Sequence, residues 1–172
     1  MKVIELKDVK KSYGKNEILH GISLDIEEGS IHGLVGRNGC GKTTFGKTIC
    51  GLLKRTSGEI TYNGKKMSRK ELRDNALFVM QESEFQFFTN SVQKELMYGL
   101  EDTTELREKI EGVLKKMDMW EVRDRHPFTL SGGQMQKLSL MMAYVSAKRV
   151  IVLDEPTAGL DAVSLENCTE LI

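Results

Sequence analysis

Little in this composition leans one way. The 172 residues carry 25 basic and 25 acidic side chains, a formal net charge of +0, so no general field draws the chain to nucleic acid or anionic lipid. Only a local patch is left for such partners. The longest apolar stretch, Leu140 to Val145, falls far short of the roughly 20 residues a membrane-spanning helix needs. The start, Met1-Lys2-Val3-Ile4-Glu5, is charged and lacks the apolar core of a secretory signal. Cysteine is scarce: Cys40, Cys50 and Cys168 make no C-x-x-C pair, which excludes a disulfide framework and a zinc ribbon. His20, His32 and His126 stand at no metal-ligand spacing to Cys, Asp or Glu clusters, and structural roles are expected for them. No internal repeat or low-complexity segment is evident. These absences predict a cytosolic chain that buries about two-thirds of its unfolded surface around one core, with room for a subdomain.

What is present is concentrated in two places. Gly36-Arg37-Asn38-Gly39-Cys40-Gly41-Lys42-Thr43 is a full match to G-x-x-x-x-G-K-[ST]. Glycines at 36, 39 and 41 let the backbone fold tightly, so that N–H groups face inward and cradle anionic phosphate oxygens. Lys42 adds a positive charge for the β- and γ-phosphates, and the Thr43 hydroxyl is the expected Mg²⁺ ligand. The bland alternative is a glycine-rich turn opening an ordinary helix. Context argues against it, since Ile31-His32-Gly33-Leu34-Val35 predicts a short buried strand and Thr44–Cys50 a helix, the strand, loop and helix a phosphate site requires. Further along, the apolar run Val150–Leu153 ends in Asp154-Glu155.

Outside these motifs the periodicity changes along the chain. Ile4 and Leu6, then Ile18, His20, Ile22, Leu24 and Ile26, predict half-buried strands. Glu59–Tyr62 runs into Asn63-Gly64, a hairpin-turn signal, and Ser68-x-x-Glu71 predicts a capped short helix. Ala76–Met80 is expected to be a buried strand ending at Gln81. Helices should dominate roughly 83–149, with stripes of Leu106, Ile110, Val113, Leu114 and Met117 and of Leu138, Met141, Met142 and Val145. Asp161 is expected to cap a last helix. The nine methionines suit adaptable core packing, Trp120 is expected to close the apolar face of its helix, and Lys65-Lys66 and Lys115-Lys116 suit solvated surface.

Leu130-Ser131-Gly132-Gly133-Gln134 resembles the signature motif of ABC ATPases, and Val150–Pro156 resembles their Walker B strand; order and spacing match the family. Alone, Ser-Gly-Gly is a flexible helix cap. Here Ser131 and two glycines would offer a hydroxyl and approachable N–H groups to a γ-phosphate. The resemblance covers essentially the whole chain. It implies an α/β fold, a P-loop NTPase core with an N-terminal antiparallel β subdomain and an inserted helical subdomain at approximately 83–149. It also implies ATP and Mg²⁺. Nucleotide contacts would come from Tyr13, stacking on adenine, from Gly36, Asn38, Gly39, Cys40, Gly41, Lys42, Thr43 and Thr44, and from Ser131, Gly132, Gly133 and Gln134. Core packing is the competing role for Tyr13, and a solvated loop position is the competing role for Gln81. Thr43, Gln81 and Asp154 would serve the metal, and Glu155, Gln81 and Lys42 catalysis, Glu155 as general base. Because the family's signature faces the P-loop of a partner, a second ATPase subunit is implied, in a homo- or heterodimer.

The stretch Gln81 to Val92, with Phe85, Phe87 and Phe88, is similar to the Q-loop region of energy-coupling-factor and cobalt-type importer ATPases, as is Arg125-His126-Pro127-Phe128-Thr129. In such importers this surface grips a helix of an integral membrane subunit, which implies a place on the cytoplasmic face of the membrane. Core packing is the competing role for these phenylalanines. The chain as a whole can also be read as a soluble ABC switch, or as a fragment that binds ATP without hydrolysing it. The family's next strand and switch histidine would fall beyond Ile172, so an incomplete sheet with an exposed apolar edge is expected.

Overall fold

A computed structural model describes residues 2–80, 86–146, 148–156, 164 and 166. The chain forms two compact units, Met1–Phe78 and Val79–Ile172. In the first, β1 (Lys2–Tyr13) pairs antiparallel with β2 (Asn16–Glu27) and, on its other edge, with β3 (Ser57–Tyr62), to which β4 (Lys65–Lys66) adds. The sheet order is β2-β1-β3-β4. Asn63 and Gly64 both take positive φ, 48° and 76°, as a primed hairpin turn demands, and so join β3 to β4 as the Asn-Gly pair predicts.

The expected alternation holds on β1 only up to Leu6. Ile4 and Leu6 are buried, and then Val9 is. The phase changes at a bulge between Leu6 and Val9, where Asp8 stands at φ 47°. Facing it on β2, Gly21 adopts φ 84°, and a Cβ there would run into the Asp8 carboxylate. This break puts Leu19 in the core and leaves His20 exposed, the reverse of what even spacing predicts.

Helix α1 (Lys42–Ile49) packs Phe45 and Ile49 inward. Helix α2 (Arg69–Asn75) starts on the predicted capping box: Ser68 Oγ accepts from Glu71 N–H at 3.2 Å, and Glu71 Oε2 accepts from Ser68 N–H at 2.8 Å. The paired lysines are solvated as expected, Lys65 against Glu71 and Lys66 against Glu59. The strand predicted at Ile31–Val35 does not form. That run joins no ladder, with Ile31, Leu34 and Val35 exposed by 79%, 54% and 94%. An apolar run becomes a buried strand only with strands on either side, and none of the described residues pairs with it in a ladder.

The second unit is mainly helical: α3 (Val92–Met97), α4 (Thr104–Lys116) and α5 (Gly132–Val145), with one-turn 3₁₀ segments at Trp120–Val122 and Pro127–Thr129. The strand β5 (Ala76–Val79) enters this unit at Val79, and the strand β6 (Val150–Leu153) lies within it. Leu96, Ile110, Leu114, Met117, Leu138 and Met141 make the core, which confirms methionine as packing material here. Trp120 lies beyond the end of α4 rather than on it. Its half-buried ring carries Arg123 at 4.2 Å and Lys115 at 5.2 Å.

A buried carboxylate holds the entry to α3. Glu95 is 1% exposed, and its carboxylate accepts from Phe88 N–H at 3.1 Å, from Thr89 N–H at 2.7 Å and from the Thr89 hydroxyl at 2.7 Å. Three donors to one anion explain how the charge is tolerated inside. Glu95→Ala should strand these donors and lower the unfolding free energy by roughly 1.5–3 kcal/mol, with Glu95→Gln losing less. Equilibrium urea unfolding measures this, and an unchanged midpoint for Glu95→Ala would show the carboxylate to be dispensable.

Candidate functional site

Helices α1 to α5 begin in two different ways. Those starting after Ser68, Ser91, Thr103 and Ser131 each have that side chain accepting a backbone N–H of the first turn. Helix α1 has no such cap. Its N-cap is Gly41 at φ 101°, no side chain accepts there, and its first turn holds no acidic residue. No N-cap side chain closes this start, where the positive end of the helix dipole lies.

The loop ahead of α1 is shaped to let an outside acceptor approach. Cys40 N–H donates to the Arg37 carbonyl at 3.2 Å and closes a tight turn, and Phe45 N–H donates to the Gly41 carbonyl at 2.8 Å to start the helix. Gly41 stands at φ 101° with Ile18 Cγ2 2.9 Å from where a Cβ would be, so glycine is required there, whereas a Cβ on Gly36 would stand 2.7 Å from the Cys40 Sγ, which would have to turn aside. Asn38, Gly39 and Cys40 are exposed, Thr43 lies at the exposed helix start, and Thr44 is half-buried. Lys42 Nζ folds back on the loop, donating to the Gly36 carbonyl at 2.9 Å and the Arg37 carbonyl at 3.2 Å. Those neutral acceptors are ones an ammonium would exchange for phosphate oxygens with gain. The glycine cradle, the open helix start and the neighbouring lysine fit a phosphate chain, and the Thr43 hydroxyl suits a hard cation carried by it. Among the described residues no group of three or more His, Cys, Asp or Glu converges on a metal position.

Tyr13 ends β1 in the same unit, 50% exposed, which removes core packing as its role. Lys11 Nζ lies 4.5 Å from the centre of its ring. Sequence reading missed Lys11, although two residues apart on a strand is same-face spacing.

In the second unit, Ser131 Oγ accepts from Gln134 N–H at 3.3 Å and Gln134 Oε1 accepts from Ser131 N–H at 3.0 Å, a full capping box. This engages the Ser131 oxygen as acceptor and leaves its O–H as a donor. Ser131 and Gly132 are exposed, Gly133 is half-buried, and a Cβ on Gly132 would meet nothing within 4 Å. In the same unit, Asp154 N–H donates to the Val79 carbonyl at 3.0 Å, which sets Asp154 at the end of β6. Asp154 is half-buried and Glu155 is exposed, at φ 50°. Gln81, Phe85 and Asp161 lie outside the described residues.

The structure separates two phenylalanines that the sequence groups together. Phe87 is 7% exposed and belongs to the core, whereas Phe88 is 74% exposed and stacks on exposed Tyr98 at 5.9 Å. His126 is structural as expected, its Nδ1 accepting from Phe128 N–H at 3.3 Å.

The ABC transporter family profile matches residues 19–158. A Treponema denticola protein provisionally named an ABC transporter ATP-binding protein is 40% identical over 172 residues, 99% of this chain and 35% of its own length. The provisionally named HMP/thiamine import ATP-binding protein YkoD of Bacillus subtilis is 36% identical over 173 residues, 99% of this chain and 32% of its own length. The chain thus spans about one third of the length of these curated relatives. Among solved structures, cbiO1 from Clostridium perfringens, part of the ABC transporter complex cbiONQ, is similar with a TM-score of 0.81 and 27% identity, covering 99% of this chain and 72% of that one. The profile match takes in both the uncapped start of α1 and the capped start of α5, and the chain belongs to the ABC transporter family, in its ATP-binding part.

Proposed function

We propose that this chain binds and hydrolyses ATP to drive substrate import through a membrane transporter of the energy-coupling-factor type, taking up a vitamin or a transition metal. The observation that carries the ATP reading is the one start among α1 to α5 without a side-chain cap, set behind a glycine loop that admits no Cβ at Gly41. The importer branch is supported by the identity to the thiamine import protein and by the likeness to cbiO1. In this reading residues 83–149 form a helical subdomain within one ATPase domain of 1–172.

Each residue has a chemical task. Tyr13 stacks on adenine, with Lys11 behind its ring. The loop from Gly36 to Gly41 turns N–H groups to the phosphates, with Asn38, Cys40 and Thr44 contributing further polar contacts. Lys42 takes up charge on the β- and γ-oxygens. Bound magnesium supplies charge neutralisation at the phosphates, and Thr43, Gln81 and Asp154 are the side chains that would hold it. Glu155 accepts a proton from the attacking water. Ser131, Gly132, Gly133 and Gln134 present a hydroxyl and a helix start to the γ-phosphate of a second ATPase subunit, in a homo- or heterodimer. An integral membrane subunit completes the assembly, on the cytoplasmic face of the membrane. Among the described residues no helix is long and apolar enough to cross a membrane.

Lys42→Ala removes charge-assisted bonds of about 1.5–3 kcal/mol, so ATP affinity should fall by roughly 10- to 100-fold in a fluorescent-analogue titration. Unaltered affinity would refute the phosphate-loop assignment. Glu155→Gln should keep ATP affinity within about twofold while phosphate release slows by on the order of 10²-fold or more. Release at the parent rate would remove Glu155 as general base. For the importer branch, Phe88→Ser should abolish pull-down of the membrane subunit with the melting temperature unchanged, because Phe88 is exposed. Phe87→Ser should instead lower the melting temperature, at a cost of about 3–5 kcal/mol. Undiminished association of Phe88→Ser would place the contact elsewhere.

A further inference from the structure

The uncapped start of α1 rests on β2. A Cβ on Gly41 would stand 2.9 Å from Ile18 Cγ2, 3.4 Å from Leu19 Cδ2 and 3.5 Å from the Ile18 carbonyl oxygen. In the ladder Leu19 pairs with Lys11 and Asn16 with Tyr13. The register shifts between Lys11 and Ser12 and leaves Ile18 without a partner on β1, so the bulged residue is the one that leans on Gly41. Directly paired residues share a face of the sheet about 5 Å apart, and residues two apart on a strand are separated by about 7 Å. The sheet thereby sets Tyr13 on the order of 10 Å from the strand residue that touches the helix start, a separation that one nucleotide spans between base and phosphates.

Lysines along β1 find different partners. Lys7 reaches Glu5 at 3.5 Å and Lys10 reaches Asp8 at 3.6 Å. Lys11 pairs with no carboxylate among the described residues, and its Nζ lies instead over the Tyr13 ring, 4.5 Å from the centre. An ammonium over an aromatic face is attracted by the ring's quadrupole, and it restrains the ring in turn. The backbone on both sides of Lys11 is fixed as well. Ser12 N–H donates to Thr56 Oγ1 at 2.9 Å, and Thr56 N–H donates to the Lys10 carbonyl at 2.8 Å. With the ammonium over one face and Tyr13 50% exposed, the opposite face is the one open to a ligand. A ring restrained before binding loses less freedom when a base stacks on it.

We infer that Lys11 is a positioning residue for nucleotide binding: its ammonium holds the Tyr13 ring from behind, so that the open face receives the base of a nucleotide whose phosphates lie at the start of α1. This rests on the reading of Tyr13 as the platform for adenine. In titration calorimetry on the whole chain, Lys11→Met should weaken ATP binding by about two- to fivefold, the range of a partly exposed cation–π contact. The same variant should leave binding of inorganic tripolyphosphate, which has no base, unchanged. Lys11→Arg should restore the affinity for ATP. Tyr13→Ala should weaken ATP by about fivefold or more, and Lys11→Met added to it should cost nothing further. Three results would overturn the inference: equal weakening of ATP and tripolyphosphate by Lys11→Met, a loss that Lys11→Arg does not repair, or a loss that persists undiminished without the Tyr13 ring. Each would show the ammonium acting as a plain charge or as part of the fold. Failure of the platform itself reads differently. ATP weakened by Tyr13→Ala but not by Lys11→Met removes Lys11 alone, whereas ATP binding indifferent to Tyr13→Ala removes the platform and the part of Lys11 with it.

Discussion

A helix begins with N–H groups that its own turns cannot satisfy, and how each beginning is closed governs this molecule. Four starts are closed from within by Ser68, Ser91, Thr103 and Ser131. At α1 the chain gives up that closure, placing glycine where the others have a hydroxyl and keeping acids out of the first turn. Glycine in place of a Ser or Thr cap costs only a few tenths of a kcal/mol, a loss that an anion at the helix start would more than offset.

What the sequence made legible was whatever local chemistry determines. The glycine loop, the Asn63-Gly64 turn and the Ser68 and Ser131 capping boxes are short-range devices, complete within a handful of residues, and each occurs where its residues predict. The failures are long-range. Ile31–Val35 has the composition of a buried strand, but ladder partners decide whether it becomes one. The bulge at Asp8 inverts the burial of Leu19 and His20 because a glycine on the facing strand leaves room for the Asp8 side chain, a fact about two strands at once.

Phe87 and Phe88 make the same point within one dipeptide. Both are equally apolar, yet the carboxylate of Glu95 anchors the backbone at Phe88 and Thr89, which fixes one ring inside and leaves the other outside against Tyr98. The determinant is a charged residue seven positions later, which a hydrophobic-pattern reading passes over. Exposure of Tyr13 and the lysine beside it is likewise a matter of where β1 ends, not of the tyrosine itself.

The end of β6 shows how the second unit holds Glu155 against its own conformational preference. Glu155 stands at φ 50°, a left-handed conformation that costs a residue with a side chain about 1–3 kcal/mol. Gln136, buried on α5, donates from Nε2 to the Pro156 carbonyl at 3.0 Å. That bond fixes the backbone one residue past the strained position from a helix whose first residues are Gly132 and Gly133. The start of α5 and the carboxylate pair thus belong to one hydrogen-bonded piece of structure. The Gln136 amide thereby ties the backbone next to the strained Glu155 to α5.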